Sequence, residues 1–194
     1  MDLIIASNNK NKIIEIKMIL ADHFDHIYSL KELGIDVDVE ENGSTFRENA
    51  YIKASEIYKI VQRPVLADDS GICVDALDGA PGIYSARYSG EPCNSERNND
   101  KLLRALDGID DRHAHYNCTM CLYFAPQDIV YAEGKTFGTI TRERIGTGGF
   151  GYDPIFMSDD LCKTFAEIDL DAKNKISHRA RALDSLKSQL DARK

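Results

Sequence analysis

Apolar positions along this chain follow two periods, and the switches between them delimit the elements. Residues 3–6 are a short apolar run, Leu-Ile-Ile-Ala, followed by polar residues and then by Ile13, Ile14, Ile16, Ile19 and Leu20, a spacing that predicts a mostly buried helix. The opening is therefore strand, loop, helix, with Asn8, Lys10 and Lys12 near a helix start where free N–H groups favour an anion. Thr45 followed three residues later by Glu48 is a capping-box signal. Phe46, Ala50, Ala54, Ile57 and Val61 then recur at helical spacing until Pro64 stops the run. Residues 65–67 predict a short buried strand that delivers Asp68-Asp69-Ser70-Gly71 at its end.

Turn residues mark loops at Ala80-Pro81-Gly82 and Ser89-Gly90-Glu91-Pro92, and Ser95 is a candidate cap for a helix carrying Leu102, Leu103 and Leu106. The clearest strand alternates Ala114, Tyr116, Cys118, Met120, Leu122 and Phe124 with more polar residues. A turn at residues 125–128 leads to a second strand from Ile129. Residues 146–154 hold four glycines in six positions, which no regular element tolerates, so this segment is a loop. A last helix is expected from near Ser177, with Ala180, Leu183, Leu186 and Leu190 as its buried stripe. Helices at both ends and strands in the middle predict an α/β fold with a mixed sheet. No repeat or linker divides residues 1–194, which fit one domain or two tightly joined lobes.

Composition narrows the function classes. The 43% hydrophobic and 29% charged content is that of a folded chain, and a net charge of −8 argues against a broad basic surface for nucleic acid. An anionic small ligand would need a local basic cluster, a bound cation, or both. No apolar stretch approaches the roughly 20 residues that span a bilayer, and the first residues lack the features of an export signal, so a cytoplasmic location and no membrane partner are expected. Cys118 and Cys121 form a C-x-x-C. Positions three apart on a strand face opposite ways and no second pair is near, so structural thiols are expected rather than zinc ligands.

Several residues carry chemistry. Adjacent Asp68 and Asp69, with Glu40 and Glu41, supply hard oxygen ligands of the kind Mg²⁺ takes, and a solvated acidic turn is the competing reading. Lys10, Lys12, Lys53, Lys173 and Arg179 are candidate phosphate or base contacts, or solvated surface charges. Gly149 and Gly151 flank Phe150 and would let its ring approach a flat ligand, although a core phenylalanine is an equal alternative. His113 and His115 share a strand face without an evident third metal ligand, which favours a surface role.

Taken in order, these segments resemble the inosine triphosphatase, or Ham1-like, family nearly end to end. The resemblance rests on Ser7-Asn8-Asn9-Lys10-Asn11-Lys12 with Glu15, Glu40-Glu41-Asn42-Gly43-Ser44-Thr45-Phe46 through Asn49-Ala50, Leu66-Ala67-Asp68-Asp69-Ser70-Gly71, Gly79-Ala80-Pro81-Gly82-Ile83-Tyr84-Ser85-Ala86-Arg87-Tyr88, residues 146–154, and Lys173 through Ser177-His178-Arg179. It implies a two-lobed α/β fold with an elongated mixed sheet and the active site in the cleft between lobes. It also implies a homodimer and metal-dependent hydrolysis of ITP, dITP and XTP to monophosphate and pyrophosphate, with Mg²⁺ or alternatively Mn²⁺. By resemblance, Ser7, Asn8, Asn9, Lys10, Asn11, Lys12 and Lys53 would hold substrate, Glu40 or Glu41 with Asp69 would bind the metal, and Asp69 would be the general base. Ser70, Phe150, Gly151, Tyr152, Asp153, Lys173, His178 and Arg179 would contact the nucleotide. The chain departs from many relatives at Asn8, where they carry glycine, and a positive φ there would strain it. A nucleotide-binding module without turnover is the alternative on the same fold, and the retained acidic set argues against it.

Overall fold

The computed structural model describes residues 1–193, apart from the side chains of Asn11 and Leu170, so the substrate contact expected of Asn11 lies outside the described residues. Seven strands form one sheet: β1 (Asp2–Ile5), β2 (His26–Ser29), β3 (Val65–Val74), β4 (His113–Ala125), β5 (Asp128–Ile140), β6 (Phe156–Ser158) and β7 (Lys163–Thr164). Their order is β2-β1-β3-β4-β5-β6-β7. β1 pairs in parallel with β2 and β3, whereas β5, β6 and β7 pair antiparallel, so the sheet is mixed as expected. The helices are α1 (Lys10–Leu20), α2 (Phe46–Val61), α3 (Ser95–Ala105), α4 (Leu170–Ile176) and α5 (His178–Asp191).

The residues divide into two compact units, Met1–Asp69 with Cys118–Gly134 and Arg179–Lys194, and Ser70–Asn117 with Lys135–His178. In the first unit the strand pleat sends alternate side chains to two cores. Leu3, Ile5, Leu66, Cys118, Met120 and Leu122 meet Ile16 and Leu20 of α1 and Leu183 and Leu186 of α5. Ile4, Val65, Ala67, Cys121 and Tyr123 meet Ala50, Ala54 and Ile57 of α2 on the other face. Cys118 and Cys121 thus lie in different cores, both as free buried thiols. The second unit has its own core of Ile72, Val74, Leu102, Tyr116, Ile140, Tyr152, Phe156 and Phe165.

Local signals hold where they have a mechanism. Thr45 Oγ1 accepts the Glu48 backbone N–H at 3.1 Å, while the Glu48 carboxylate accepts from the N–H and hydroxyl of Ser44, one residue earlier than a capping box requires. Three expectations need correction. The strand after Pro64 does not end before Asp68 but runs to Val74, because Ile72 and Val74 extend its buried face. Asn94 rather than Ser95 caps α3, its side chain accepting the Arg97 N–H at 2.9 Å. α1 is less buried than its isoleucines suggest, since Ile14 and Met18 are exposed.

Candidate active site

The site begins with the pleat of β3. Successive side chains on a strand point to opposite faces, so Asp68 and Asp69 enter different surroundings although they are adjacent. Asp68 lies on the side of α1 and α5, where Lys12 Nζ reaches its carboxylate at 2.7 Å and Arg179 Nε stands 3.9 Å away. Burial alone would raise its pKa, but Lys12, Arg179 and Lys53 outweigh burial and hold the carboxyl well below the usual range. Arg179 is itself 6% exposed and pairs with the equally buried Glu15 at 3.3 Å. Its charge is reinforced despite burial, by Asp68 first and then by Glu15.

Asp69 lies on the α2 side, where Asn49 Nδ2 donates to its carboxylate at 3.0 Å. Burial pushes this carboxyl up to about 6, with the negative charges of Glu41 and Asp68 adding to the rise and Asn49 and Lys53 opposing it. The two carboxylates therefore differ in role: one is held ionised, and the other is poised near neutrality.

Lys53 links the halves of this cluster. Its Nζ pairs with Glu41 at 2.7 Å and donates to the backbone carbonyl of Asp68 at 2.9 Å. A small polar pocket of about 150 Å³ is lined here by Ser7, Asn8, Lys12, Asp38, Glu41, Lys53 and Asp68. The structure thus brings Glu41, and not the exposed Glu40, to the pocket. Asn9 immediately precedes α1, its Oδ1 accepting the Lys12 N–H at 3.3 Å while its own N–H donates to Ser7 Oγ at 3.2 Å. Lys10 is exposed at the same helix start. Asn8 is not among the residues with positive φ, so asparagine in place of glycine carries no backbone strain.

The glycine-rich segment and the start of the last helices form a second cluster, within the other unit. The Asp153 carboxylate accepts from Lys173 Nζ at 2.5 Å and from the Phe150 N–H at 2.8 Å. Lys173 Nζ also sits 4.4 Å from the centroid of the Phe150 ring, which is 47% exposed and hence no core residue. His178 stacks on Tyr116 with centroids 4.7 Å apart and planes 9° from parallel. Gly149 is required: at φ +73° a Cβ there would stand 2.2 Å from Asp153 Oδ2. Tyr152 is buried and donates its hydroxyl to the Ser85 carbonyl at 2.7 Å, Gly151 follows Phe150 at φ +63°, and Ser70 is half-buried on β3. His113 pairs with Asp111 and His115 packs on Phe137, so neither joins a site.

Sequence reasoning attached no site role to Asp38, Asn49 or Tyr116. Asn49 sits on the α2 face whose period was legible, yet nothing marked its amide as the partner of a residue 20 positions away. No group of three or more His, Cys, Asp or Glu arranged to hold a metal occurs among the described residues. A magnesium ion needs only one or two carboxylates, with waters and substrate phosphates completing its shell, so Glu41 and Asp69 fit it as a donor set. Burial is the main cause of the rise at Asp69, and the repulsion from Glu41 that adds to it is what a divalent cation between the two carboxylates would relieve.

A mixed α/β fold carrying interleaved carboxylates and lysines around a phosphate-sized pocket, and a separate aromatic and cationic cluster suited to a flat ring, defines a class of nucleotide-handling proteins. Residues 3–189 match the Ham1 family, and the chain belongs to it. A dITP/XTP pyrophosphatase of Clostridium perfringens is 50% identical over 96% of each chain, and one of Bacillus subtilis is 44% identical over 98% of each. The solved Staphylococcus aureus Ham1 protein superposes with a TM-score of 0.93 at 42% identity over the whole of both chains. A HAM1 protein from Coxiella burnetii gives 0.92 at 38% identity over 99% of each.

Proposed function

We propose that this chain is a dITP/XTP pyrophosphatase, hydrolysing ITP, dITP and XTP to the monophosphate and pyrophosphate and so removing these purines from the nucleotide pool. The observation that carries the chemistry is the split pair: Asp69 held near 6 is matched to accepting a proton close to neutral pH, beside an Asp68 that stays ionised among cations. In the reaction, a water oxygen bonds to the α-phosphorus as the bond from that phosphorus to the bridging oxygen breaks. The water proton passes to an Asp69 carboxylate oxygen, and Lys12 and Lys53 cover the charge of departing pyrophosphate. Glu41 and Asp69 would hold Mg²⁺, with Mn²⁺ as an alternative, and when bound it neutralises charge on phosphate oxygens. Ser7, Asn8, Asn9 and Lys10 supply further donors to the polyphosphate.

Phe150, Lys173 and His178 take the base: a ring to stack on, a cation and an imidazole. A donor aimed at a 6-oxo group is left unpaired by a 6-amino group, which is the basis for rejecting ATP. The family resemblance supports a homodimer acting in the cytoplasm, and no helix among the described residues is long and apolar enough to cross a membrane.

One experiment tests both substrate and bond. A panel of standard and deaminated triphosphates is assayed for pyrophosphate, and ITP is hydrolysed in ¹⁸O-labelled water. Label in inosine monophosphate with unlabelled pyrophosphate is the expected result. Label in pyrophosphate, or orthophosphate as the first product, refutes attack at the α-phosphorus. Equal turnover of ATP and ITP refutes the substrate assignment.

A further inference from the structure

Two adjacent buried asparagines stand in the middle of α3, where asparagine is a poor helix former. Asn98 is accounted for, since its Oδ1 accepts the Ser89 N–H at 2.7 Å and its Nδ2 donates to the Ala86 carbonyl at 2.9 Å. Asn99 differs. It is fully buried, its Oδ1 has no hydrogen-bond partner among the described residues, and its Nδ2 donates at 3.1 Å to the carbonyl of Gly151. A leucine of similar size would suit the helix better and leave no buried oxygen unpaired. What asparagine offers at this position is the bond to Gly151.

That bond falls where the glycine-rich segment most needs one. Gly149 and Gly151 flank Phe150, and both adopt positive φ, at +73° and +63°. A segment with glycines on both sides of an exposed ring is conformationally free unless its backbone is held from outside. Its backbone is held by the Phe150 N–H donating to Asp153 and by the Gly151 carbonyl accepting from Asn99, with the Phe150 carbonyl also accepting the Asp153 N–H at 3.2 Å and the Gly148 N–H donating to the Ala166 carbonyl at 3.0 Å. The first uses a carboxylate shared with Lys173, so ligands that draw on Lys173 disturb it. The second comes from a helix 52 residues away and is independent of the base-binding groups.

We infer that Asn99 is a positioning residue for the base site, fixing the Gly151 carbonyl so that the Phe150 ring is presented in one place above Lys173. This rests on the reading of Phe150 as the base platform, but the anchor itself is measurable without turnover. The chain contains no tryptophan, so Phe150→Trp introduces a single tryptophan on the loop, excited selectively to the red of tyrosine absorption. In that background Asn99→Leu, which keeps size and removes the donor, and Asn99→Ser are compared by tryptophan anisotropy, with circular dichroism melting as the control for folding.

Anisotropy of the loop tryptophan is expected to fall in both variants at temperatures where each is folded. In the otherwise unaltered chain, Asn99→Leu is expected to raise KM for ITP about fivefold while kcat stays within about twofold, and to narrow the ITP-to-ATP ratio of kcat/KM. Unchanged anisotropy in folded variants overturns the anchor, as does a parallel loss of kcat for every nucleotide with KM and the base ratio intact. Reduced anisotropy in a protein whose substrate panel shows no purine preference would uphold the anchor while refuting the proposed substrate.

Discussion

Asp68 and Asp69 are joined by one peptide bond, yet the first accepts from the Lys12 ammonium at 2.7 Å while the second accepts from the Asn49 amide at 3.0 Å. The alternation of a β-strand is enough to separate them: two identical side chains, one residue apart, are delivered to a cationic face and to an amide-lined one. The strand therefore converts a repeated residue into two different reagents.

Asp69→Asn is expected to reduce kcat by at least about a thousandfold while nucleotide affinity stays within about tenfold, because a lost proton acceptor affects the transition state more than the bound ground state. The same variant should be more stable than the parent without ligand. Its carboxyl is held near 6 in the folded chain against an ordinary 3.8, so the folded state is favoured by protonation below 3.8 and loses that advantage as pH rises through about 6. The variant should then gain up to about 3 kcal/mol over the parent at pH 8 and nothing at pH 3.5. Urea denaturation at both pH values checks the sign, and near-parental turnover would remove Asp69 from the mechanism.

Asp68→Asn carries the opposite sign. Its folded pKa is depressed, so its stabilisation is present above the ordinary 3.8 and disappears as pH falls through the lower folded value. Removing the charge takes the counter-ion from Lys12 and leaves Arg179 with Glu15 alone, a loss of about 3 kcal/mol at pH 7. The deficit against the parent should shrink on acidification below pH 4. A deficit independent of pH would mean that lost volume or hydrogen bonding, and not charge, dominates.

Glu41→Gln should raise the Mg²⁺ concentration for half-maximal activity by about tenfold or more, since Glu41 lines the pocket and pairs with Lys53. Glu40→Gln, at an exposed position, should remain within about twofold. Metal titration of initial rates separates the two, and similar effects from both would relocate the metal.

Lys173→Met should lower kcat/KM for ITP by about a hundredfold and that for ATP much less, because the ammonium under Phe150 is the charged donor of the aromatic cluster. Arg179→Ala should slow both substrates alike, its guanidinium being engaged with Glu15 and Asp68. A selective loss of ITP turnover in Arg179→Ala would make that arginine a base reader after all.

Elements with strong local signals could be read from the residues: α2 with its Thr45 cap, the alternating β4, and the Ala180, Leu183, Leu186 and Leu190 stripe of α5 all occur where their periods placed them. β2, β6, β7 and α4 could not, because four, three and two residues are too few to display alternation and seven too few for a helical stripe. The continuation of β3 was hidden for a chemical reason: Asp68-Asp69-Ser70-Gly71 has the composition of a turn, and only neighbouring strands reveal that it is pleated. Candidate site residues were recognisable by type and motif, but their partnerships were not. Lys12 and Asp68 are 56 positions apart and Arg179 and Glu15 are 164 apart, so no local pattern registers either pair.

The five thiols are sorted by accessibility in a way that matters at the bench. Cys118 and Cys121 are sealed in separate cores, with burial driving the first far above its ordinary pKa and the second up to about 12, whereas Cys93 and Cys162 are exposed. A maleimide at neutral pH should therefore decorate Cys93 and Cys162 first and spare the sealed pair. Replacing either exposed cysteine leaves the other as an addressable attachment point. Dyes, spin labels or surface tethers can then be installed without disturbing either interior of the nucleotide-handling unit.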